Sequence, residues 1–456
     1  MATPAAPEGQ RADDHAGPRP EEGRGGLRAT LGGLTTRGRS FLAAGAAAAV
    51  CAYVLGQADL LRVGLLLASL PLICAVVLHR TRYRVATSRL LTPQRVEAGT
   101  EARVQLRMEN VSKLPTGLLM LQDHVPYMLG PRPRFVLDRV EAGGRREVSY
   151  RVRSDLRGRF PLGPLQLRLS DPFGMCELTR SFHAYDTLTV VPRTTALPPV
   201  RLGGEASGYG EGRQRTLALA GDDDVIPRAY RVGDDLRRVH WRSTARYGEL
   251  MVRREEQPQR SHCTVLLDTR RVGYQGSGPD SAFEWAVSGA ASVLTHMLER
   301  GYAVRLLTDT GSAVPGEGSE GYAGTDSVET AGLLMDTLAI VDHSDGAGLS
   351  RASDVLRAGS EGLLVAFLGD LDEEQAALAG RMRGRAGAAV AFVLDSGTWL
   401  TGGAVAGAVD TRARELREAG WTVVPVPPGA RLADLWQQAA GALRDTAAAD
   451  SYGGWA

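Results

Sequence analysis

The sequence predicts a membrane-anchored α+β multidomain protein: a two-helix transmembrane hairpin, then a β-sandwich, then an α/β domain on a parallel sheet. Three observations predict it. Two uncharged, strongly apolar runs lie close together near the N-terminus. Between about Tyr83 and Arg193 the hydrophobic period is two, the mark of half-buried strands. From His262 onward, buried strands alternate with amphipathic helices, which implies a parallel sheet covered on both faces.

Residues 1–40 are rich in Pro, Gly, Arg and Glu with few large apolar residues, and read as a disordered tail. A hairpin follows over 41–80. Its runs, Phe41–Gly56 and Val63–Leu78, are 16 residues each, against ~20 for a full span. Gln57-Ala58 and Leu60-Leu61 bring both closer to that length. A soluble core helix would show a polar face, and these runs show none. Arg37 and Arg39 precede the first run, and His79, Arg80, Arg82 and Arg84 follow the second. Cations at both outer ends place both termini and the soluble body in the cytoplasm.

The β-sandwich is expected over 83–193. Ala102, Val104, Leu106 and Met108 alternate with polar residues, as do Val148, Tyr150 and Val152, and Leu165, Leu167 and Leu169. A glycine- and arginine-rich joint spans 194–260, and the α/β domain spans 261–445, ending in a tail at 446–456. Strands are expected at Cys263–Leu267, Tyr302–Thr308, Gly362–Leu368, Ala388–Leu394 and Thr422–Val426. Helices are expected at Ser281–Arg300, Ser327–Val341, Ser350–Ala358, 408–419 and 430–445. Asp268, Asp309 and Asp370 then fall at the carboxyl ends of strands, where such sheets bind ligands.

Composition excludes several functions. The formal net charge is +1, so no global field steers the chain to nucleic acid. Of 53 basic residues only Lys113 is a lysine, which argues against Schiff-base chemistry. The four cysteines form no C-x-x-C pair, so a zinc ribbon or disulfide framework is not expected. There is no P-loop and no G-x-S-x-G elbow. No cofactor is expected.

Two constellations stand out. Asp268 is followed by Thr269, Arg270, Arg271 and Val272, and Asp370 ends a later strand. Converging carboxylates can hold a divalent cation, yet Asp268 can equally pair with Arg270 or Arg271. The second constellation lies between Pro227 and Arg254, where there are eight arginines and three acids. Asp234 or Asp235 can cap a short helix starting at Leu236, Gly248 can end the turn that follows, and Leu250 to Val252 read as a strand entering the α/β domain. Asp234, Asp235, Arg237, His240, Trp241, Arg242, Ser243 and Arg246 are the candidate partner-binding residues, with Trp241 expected to be buried. A structural joint between two domains is the competing reading of the same segment. A different class of function, an envelope hydrolase, would use His240 with Ser243, three residues apart on one helix face.

The run Gly233-Asp234-Asp235, Arg237-Arg238-Val239-His240-Trp241, Ser243-Thr244-Ala245-Arg246 and Glu249 to Arg253 resembles the signature of the bacterial family catalogued as domain of unknown function fifty-eight. Arg157-Gly158-Arg159-Phe160 and Asp171-Pro172-Phe173-Gly174 match its upstream stretch. Asp268 and Asp370 are similar to the metal-site aspartates of a von Willebrand factor type A domain, whose pattern is D-x-S-x-S with a later threonine and aspartate. Arg270 and Val272 stand where the two serines belong, so that resemblance implies a degenerate site with no metal. The family resemblance also implies partnership with a MoxR-type AAA+ ATPase, and in some members with a transglutaminase-like membrane protein. The expected function is therefore a membrane-anchored, non-enzymatic scaffold or adaptor in envelope or protein-complex assembly.

Overall fold

A computed structural model of the chain describes residues 33–81, 85–112, 115–116, 118–171, 173–200, 227–230, 239, 241–253, 262–315, 327–357, 361–401 and 408–452. Two helices come first, α1 (Thr36–Leu55) and α2 (Ala58–Thr81). α1 starts five residues before the uncharged run because Thr35 caps it, its hydroxyl accepting the Gly38 N–H at 3.3 Å. The turn between the helices needs Gly56, whose φ is +68°. The helices meet through small residues. A Cβ on Gly45 would stand 2.8 Å from the Gly64 carbonyl oxygen, and one on Gly64 would stand 2.9 Å from that of Gly45. Such small-residue contacts let helix backbones approach closely. Both helices are long and apolar enough to cross a membrane.

The β body follows as β1 (Val85–Thr92), β2 (Arg95–Glu97), β3 (Glu101–Asn110), β4 (Leu119–Asp123), β5 (Arg134–Leu137), β6 (Arg145–Arg153), β7 (Gly158–Leu162), β8 (Leu165–Ser170), β9 (Glu177–Phe182) and β10 (Asp186–Val191). These form three short sheets, ordered β1-β3-β6, β2-β10-β7 and β5-β4-β8-β9, in place of two facing sheets. The predicted alternation is what fills the shared core. Val104, Leu106, Met108, Leu165, Leu167 and Leu169 are all buried in one cluster. Inside the body, Arg89 donates through Nε and Nη2 to both oxygens of buried Asp123, at 3.1 and 2.6 Å. It also donates to the Leu162 carbonyl at 2.9 Å, stitching β1 to β7.

A small unit comes next, made of β11 (Pro227–Ala229), α3 (Trp241–Tyr247) and β12 (Met251–Arg253). β12 pairs antiparallel with β11. It does not enter the α/β sheet, which corrects the sequence reading of Leu250 to Val252.

The α/β body contains β13 (His262–Leu267), α4 (Ala282–Glu299), β14 (Ala303–Thr308), β15 (Ala313–Val314), α5 (Ser327–Ile340), α6 (Ser350–Arg357), β16 (Glu361–Leu368), α7 (Glu373–Arg383), β17 (Ala386–Leu394), α8 (Ser396–Thr401), α9 (Ala408–Glu418), β18 (Thr422–Val426) and α10 (Leu432–Tyr452). The sheet order is β15-β14-β13-β16-β17-β18, with β15 antiparallel and the others parallel. Both faces are buried, and the period of two sorts the side chains between them. Val265, Leu267, Val365 and Phe367 pack under α4 and α10. Leu266, Leu364, Ala366 and Ala391 pack on the opposite face. α10 runs through residue 452 and so occupies most of the stretch expected as a tail.

Candidate functional site

In this sheet the chain steps from β13 outward to β14 and β15, then returns to β16 beside β13. The carboxyl ends of β13 and β16 flank that reversal, and ligands of open α/β sheets bind in the crevice outside it. Here the crevice is closed by the protein itself. Asp268 follows β13, and its N–H donates to the Phe367 carbonyl at 3.0 Å. Arg270 folds back on it: Nε donates to Oδ1 at 2.9 Å and Nη2 to Oδ2 at 2.8 Å. Nη2 also donates to the Asp370 carbonyl at 3.2 Å, and the Gly369 N–H reaches Asp268 Oδ2 at 3.2 Å. Arg270 is 1% exposed and Asp268 fully buried. Burial pushes the Asp268 carboxyl above its ordinary value, opposed by the hydrogen bonds and charge of Arg270.

The neighbouring carboxylates are likewise committed. Asp309, after β14, accepts from the Thr269 N–H at 2.8 Å, the Thr269 hydroxyl at 2.5 Å and the Ser344 hydroxyl at 2.6 Å. Asp370 accepts from both the N–H and the hydroxyl of Ser396. Tyr274 closes the wall, and burial raises its hydroxyl well above the ordinary value.

These residues do not fit a divalent cation. The guanidinium of Arg270 holds both oxygens of Asp268, and Val272 is 71% exposed and offers no ligand atom. Among the described residues, no three His, Cys, Asp or Glu side chains are grouped to hold a metal. Of the pairings left open by the sequence, Asp268 takes Arg270.

The signature segment has the opposite character. Asp234, Asp235, Arg237 and His240 lie outside the described residues, as do Leu236 and the side chain of Ser243. The hydrolase arrangement of His240 with Ser243 therefore also falls outside them. α3 begins at Trp241 and closes at Gly248, whose φ is +74° and whose N–H donates to the Thr244 carbonyl at 2.9 Å. The Thr244 hydroxyl then accepts the Met251 N–H at 3.1 Å and turns the chain into β12. Arg242 and Arg246 are exposed. Trp241 is 71% exposed, against the expectation of burial, and Tyr247 and Leu250 are exposed beside it.

Among the described residues, contact between the two large bodies runs through Arg157 and residues 193–200. Residues 193–200 run along α4. The Ser288 hydroxyl donates to the Arg193 carbonyl at 2.6 Å, and the Thr195 N–H donates to the Ser292 hydroxyl at 3.0 Å. Arg157, which the sequence reading passed over, is the main tie. Nε donates to the Leu338 carbonyl at 2.9 Å and Nη2 to the Val341 carbonyl at 2.5 Å, at the C-terminal end of α5. Nη1 is ion-paired with Glu284, and the guanidinium lies 5.2 Å from the Phe283 ring centre. The available signal was its place in Arg157-Gly158-Arg159-Phe160, but its partners lie more than 120 residues away. Beside it is a cleft of about 450 Å³, lined in part by Arg193, Trp285, Ser288 and Trp399.

Fold and site together define a class: an α/β body with a self-closed strand-end crevice, tied to a β body that carries two apolar helices. Residues 227–381, about a third of the chain, match the family described as "Protein of unknown function DUF58". The match runs from β11 into α7 and takes in both α3 and the crevice. No curated protein matches the chain. Solved structures give slight likenesses. The CARDB domain of a Pyrococcus furiosus protein in complex with di-metal ions is 10% identical over 24% of this chain and 90% of its own, with a TM-score of 0.18. The sporulation control protein Spo0M of Bacillus subtilis is 12% identical over 24% and 49%, with a TM-score of 0.16. A FixG-related protein of Vibrio parahaemolyticus is 11% identical over 24% and 96%, with a TM-score of 0.16. Scores this low carry no argument about fold or activity.

Proposed function

We propose that the protein is a membrane-anchored, non-enzymatic scaffold or adaptor that works with a MoxR-type AAA+ ATPase in envelope or protein-complex assembly. One contrast carries the reading. Arg270 fills the crevice where an open α/β sheet takes its ligand, while Trp241, Arg242, Arg246 and Tyr247 stand on an exposed helix face. Tryptophan, tyrosine and arginine are the residues that most often dominate interfaces, at ~2 kcal/mol or more each where they are central. Asp234, Asp235, Arg237, His240 and Ser243 belong to the same stretch of sequence. The α/β body is read as a degenerate von Willebrand factor type A-like domain, which its strand order and the positions of Asp268 and Asp370 support. The ATPase is what the family resemblance implies. The hairpin is read as spanning the membrane with both termini and the soluble body cytoplasmic, in line with the arginines at its two outer ends.

Affinity capture of the intact chain from membranes tests this. The AAA+ ATPase should co-purify, and Arg242→Ala with Arg246→Ala should lower its recovery at least tenfold while the melting curve stays in place. Loss of recovery only in proportion to unfolding would make α3 a structural element and sink the partner reading.

A further inference from the structure

The turn from Asp171 to Cys176 joins the β body to the helical hairpin and also presents a phenylalanine outward. Buried Asp171 braces it: its carboxylate accepts the Phe173 N–H at 3.2 Å and the Cys176 N–H at 2.7 Å. Its own N–H donates to the Cys176 carbonyl at 3.2 Å, and the Gly174 N–H donates to the Asp171 carbonyl at 3.1 Å. A turn closed on itself in this way cannot fold its apex inward, and Phe173 is 59% exposed.

The same turn grips both helices of the hairpin. The Thr35 N–H donates to the Met175 carbonyl at 2.9 Å, and the Thr35 hydroxyl to the Gly174 carbonyl at 2.7 Å. The Cys176 thiol donates to the Pro71 carbonyl of α2 at 3.6 Å. Leu34, Cys74, Ala75 and Cys176 bury one another there.

These contacts fix how deep the turn sits. On its outward side α2 exposes Leu72, Ile73, Val76 and Val77. Val77 lies six residues beyond Pro71, about 9 Å further along the axis at ~1.5 Å per residue. Cys176 therefore meets α2 about 9 Å inside the last exposed apolar residue of that helix. Gly174 and Met175 reach instead to Thr35 at the start of α1, so Phe173, the residue before Gly174, stands beside that end of the helix. Arg37, in the first turn of α1, brings its guanidinium close to Gly174, which sets a cation beside the exposed Phe173.

We propose that the Asp171–Cys176 turn is a lipid-contact element, with Phe173 seated at the boundary between acyl chains and headgroups alongside α1 and α2. The proposal rests on the membrane-spanning reading of the hairpin. It gives the β body a fixed stance against the bilayer, where the sequence alone implied a body hanging from its anchor. Aromatic and aliphatic side chains on an otherwise polar surface are the usual form of such interfacial contacts.

The test uses the full chain in phosphatidylcholine/phosphatidylglycerol vesicles, with the photoreactive residue p-benzoylphenylalanine placed singly at Phe173, Tyr53 or Val272. Tyr53 is 90% exposed on α1, and Val272 is exposed on the α/β body. After irradiation, adducts are identified by mass. Lipid adducts at Tyr53 and Phe173, with little at Val272, are the expected result. Adducts at Tyr53 without any at Phe173 overturn the proposal and leave the spanning hairpin standing. No adducts at Tyr53 overturn the spanning reading and the proposal with it. Cross-linking of Phe173 to a second protein chain, or labelling at Val272 equal to that at Phe173, also overturns the lipid contact.

Discussion

Two arginine-bearing stretches of this chain meet opposite fates. In Asp268–Val272 the arginine at position 270 is drawn into the fold, and in Trp241–Tyr247 the arginines at 242 and 246 remain at the surface. In the first stretch a buried carboxylate sets the outcome. Asp268 is held at the end of a central strand by the backbone of its neighbour β16, so a guanidinium two residues away can close a two-pronged contact on it. The arginines of α3 sit on an exposed helix of seven residues. Arginine content thus says little by itself, and a fixed acceptor of matching geometry decides which way the side chain goes.

The largest way to break that contrast is Arg270→Ala. Removing one partner of a buried pair leaves the other charge uncompensated, at ~3–5 kcal/mol. Denaturant unfolding of the soluble body should show a loss of that size. Asp268→Asn in the same background should recover part of it, since an amide oxygen still accepts the Gly369 N–H. A loss below ~1 kcal/mol would mean that the crevice is not held by this pair.

Arg157→Ala ranks next. Hydrogen bonds to a charged group contribute about 1.5–3 kcal/mol, and here they tie two bodies together. Calorimetry should show the single transition lowered or split in two. Arg157→Lys should not restore it, because an ammonium lacks the planar fork. By contrast, Arg242→Ala and Arg246→Ala should each stay within ~0.5 kcal/mol of the parent, and a larger loss in either would erase the distinction between the two stretches.

Smaller still is an acid effect at His296. Burial, and then Arg300, lower its pKa below the ordinary histidine value of about 6.5. Its Nε2 is buried without a hydrogen-bond partner. The folded state therefore binds a proton less readily than the unfolded chain, so stability is full above that ordinary value and is lost as pH falls through it. Melting temperatures between pH 7.5 and 5.5 should drop less in His296→Gln than in the parent. An identical drop would remove His296 from the account. The smallest expected effect is no effect: millimolar magnesium or calcium should not raise the melting temperature, because a cation bound only to the folded state would have to. A rise abolished by Asp268→Ala would reopen the crevice as a metal site.

Much of the α/β body was legible because its strands are mostly apolar runs, four of the five parallel ones followed directly by aspartate or glycine. Ala303–Thr308, Ser327–Ile340 and Thr422–Val426 fall within a residue of expectation. The Asp268–Arg270 pair was legible for a related reason, since both partners sit in one short loop. α7 escaped notice because its buried side mixes Gln375 with Ala376, Leu378, Ala379 and Met382 and leaves a faint periodic signal. β12 was misplaced because three residues carry no register of their own. The exposure of Trp241 could not be read at all, since burial of an indole depends on what the fold brings to it. Arg157 and Arg89 share that limit, as every ionic partner they use comes from a remote stretch of chain.

The contact at Arg157 bears on how such chains can be cut and recombined. The last carbonyls of a helix need donors, and at the end of α5 two of them come from a residue of the other body. An α/β body expressed from residue 227 alone would lose Leu197 from its core, leave that helix end to solvent and leave Glu284 without its cation. Grafting the C-terminal half onto a foreign β body would do the same, unless an arginine stood at the equivalent corner. The two halves are separate in architecture yet mutually completing in chemistry, so we expect them to be inherited and engineered as a pair.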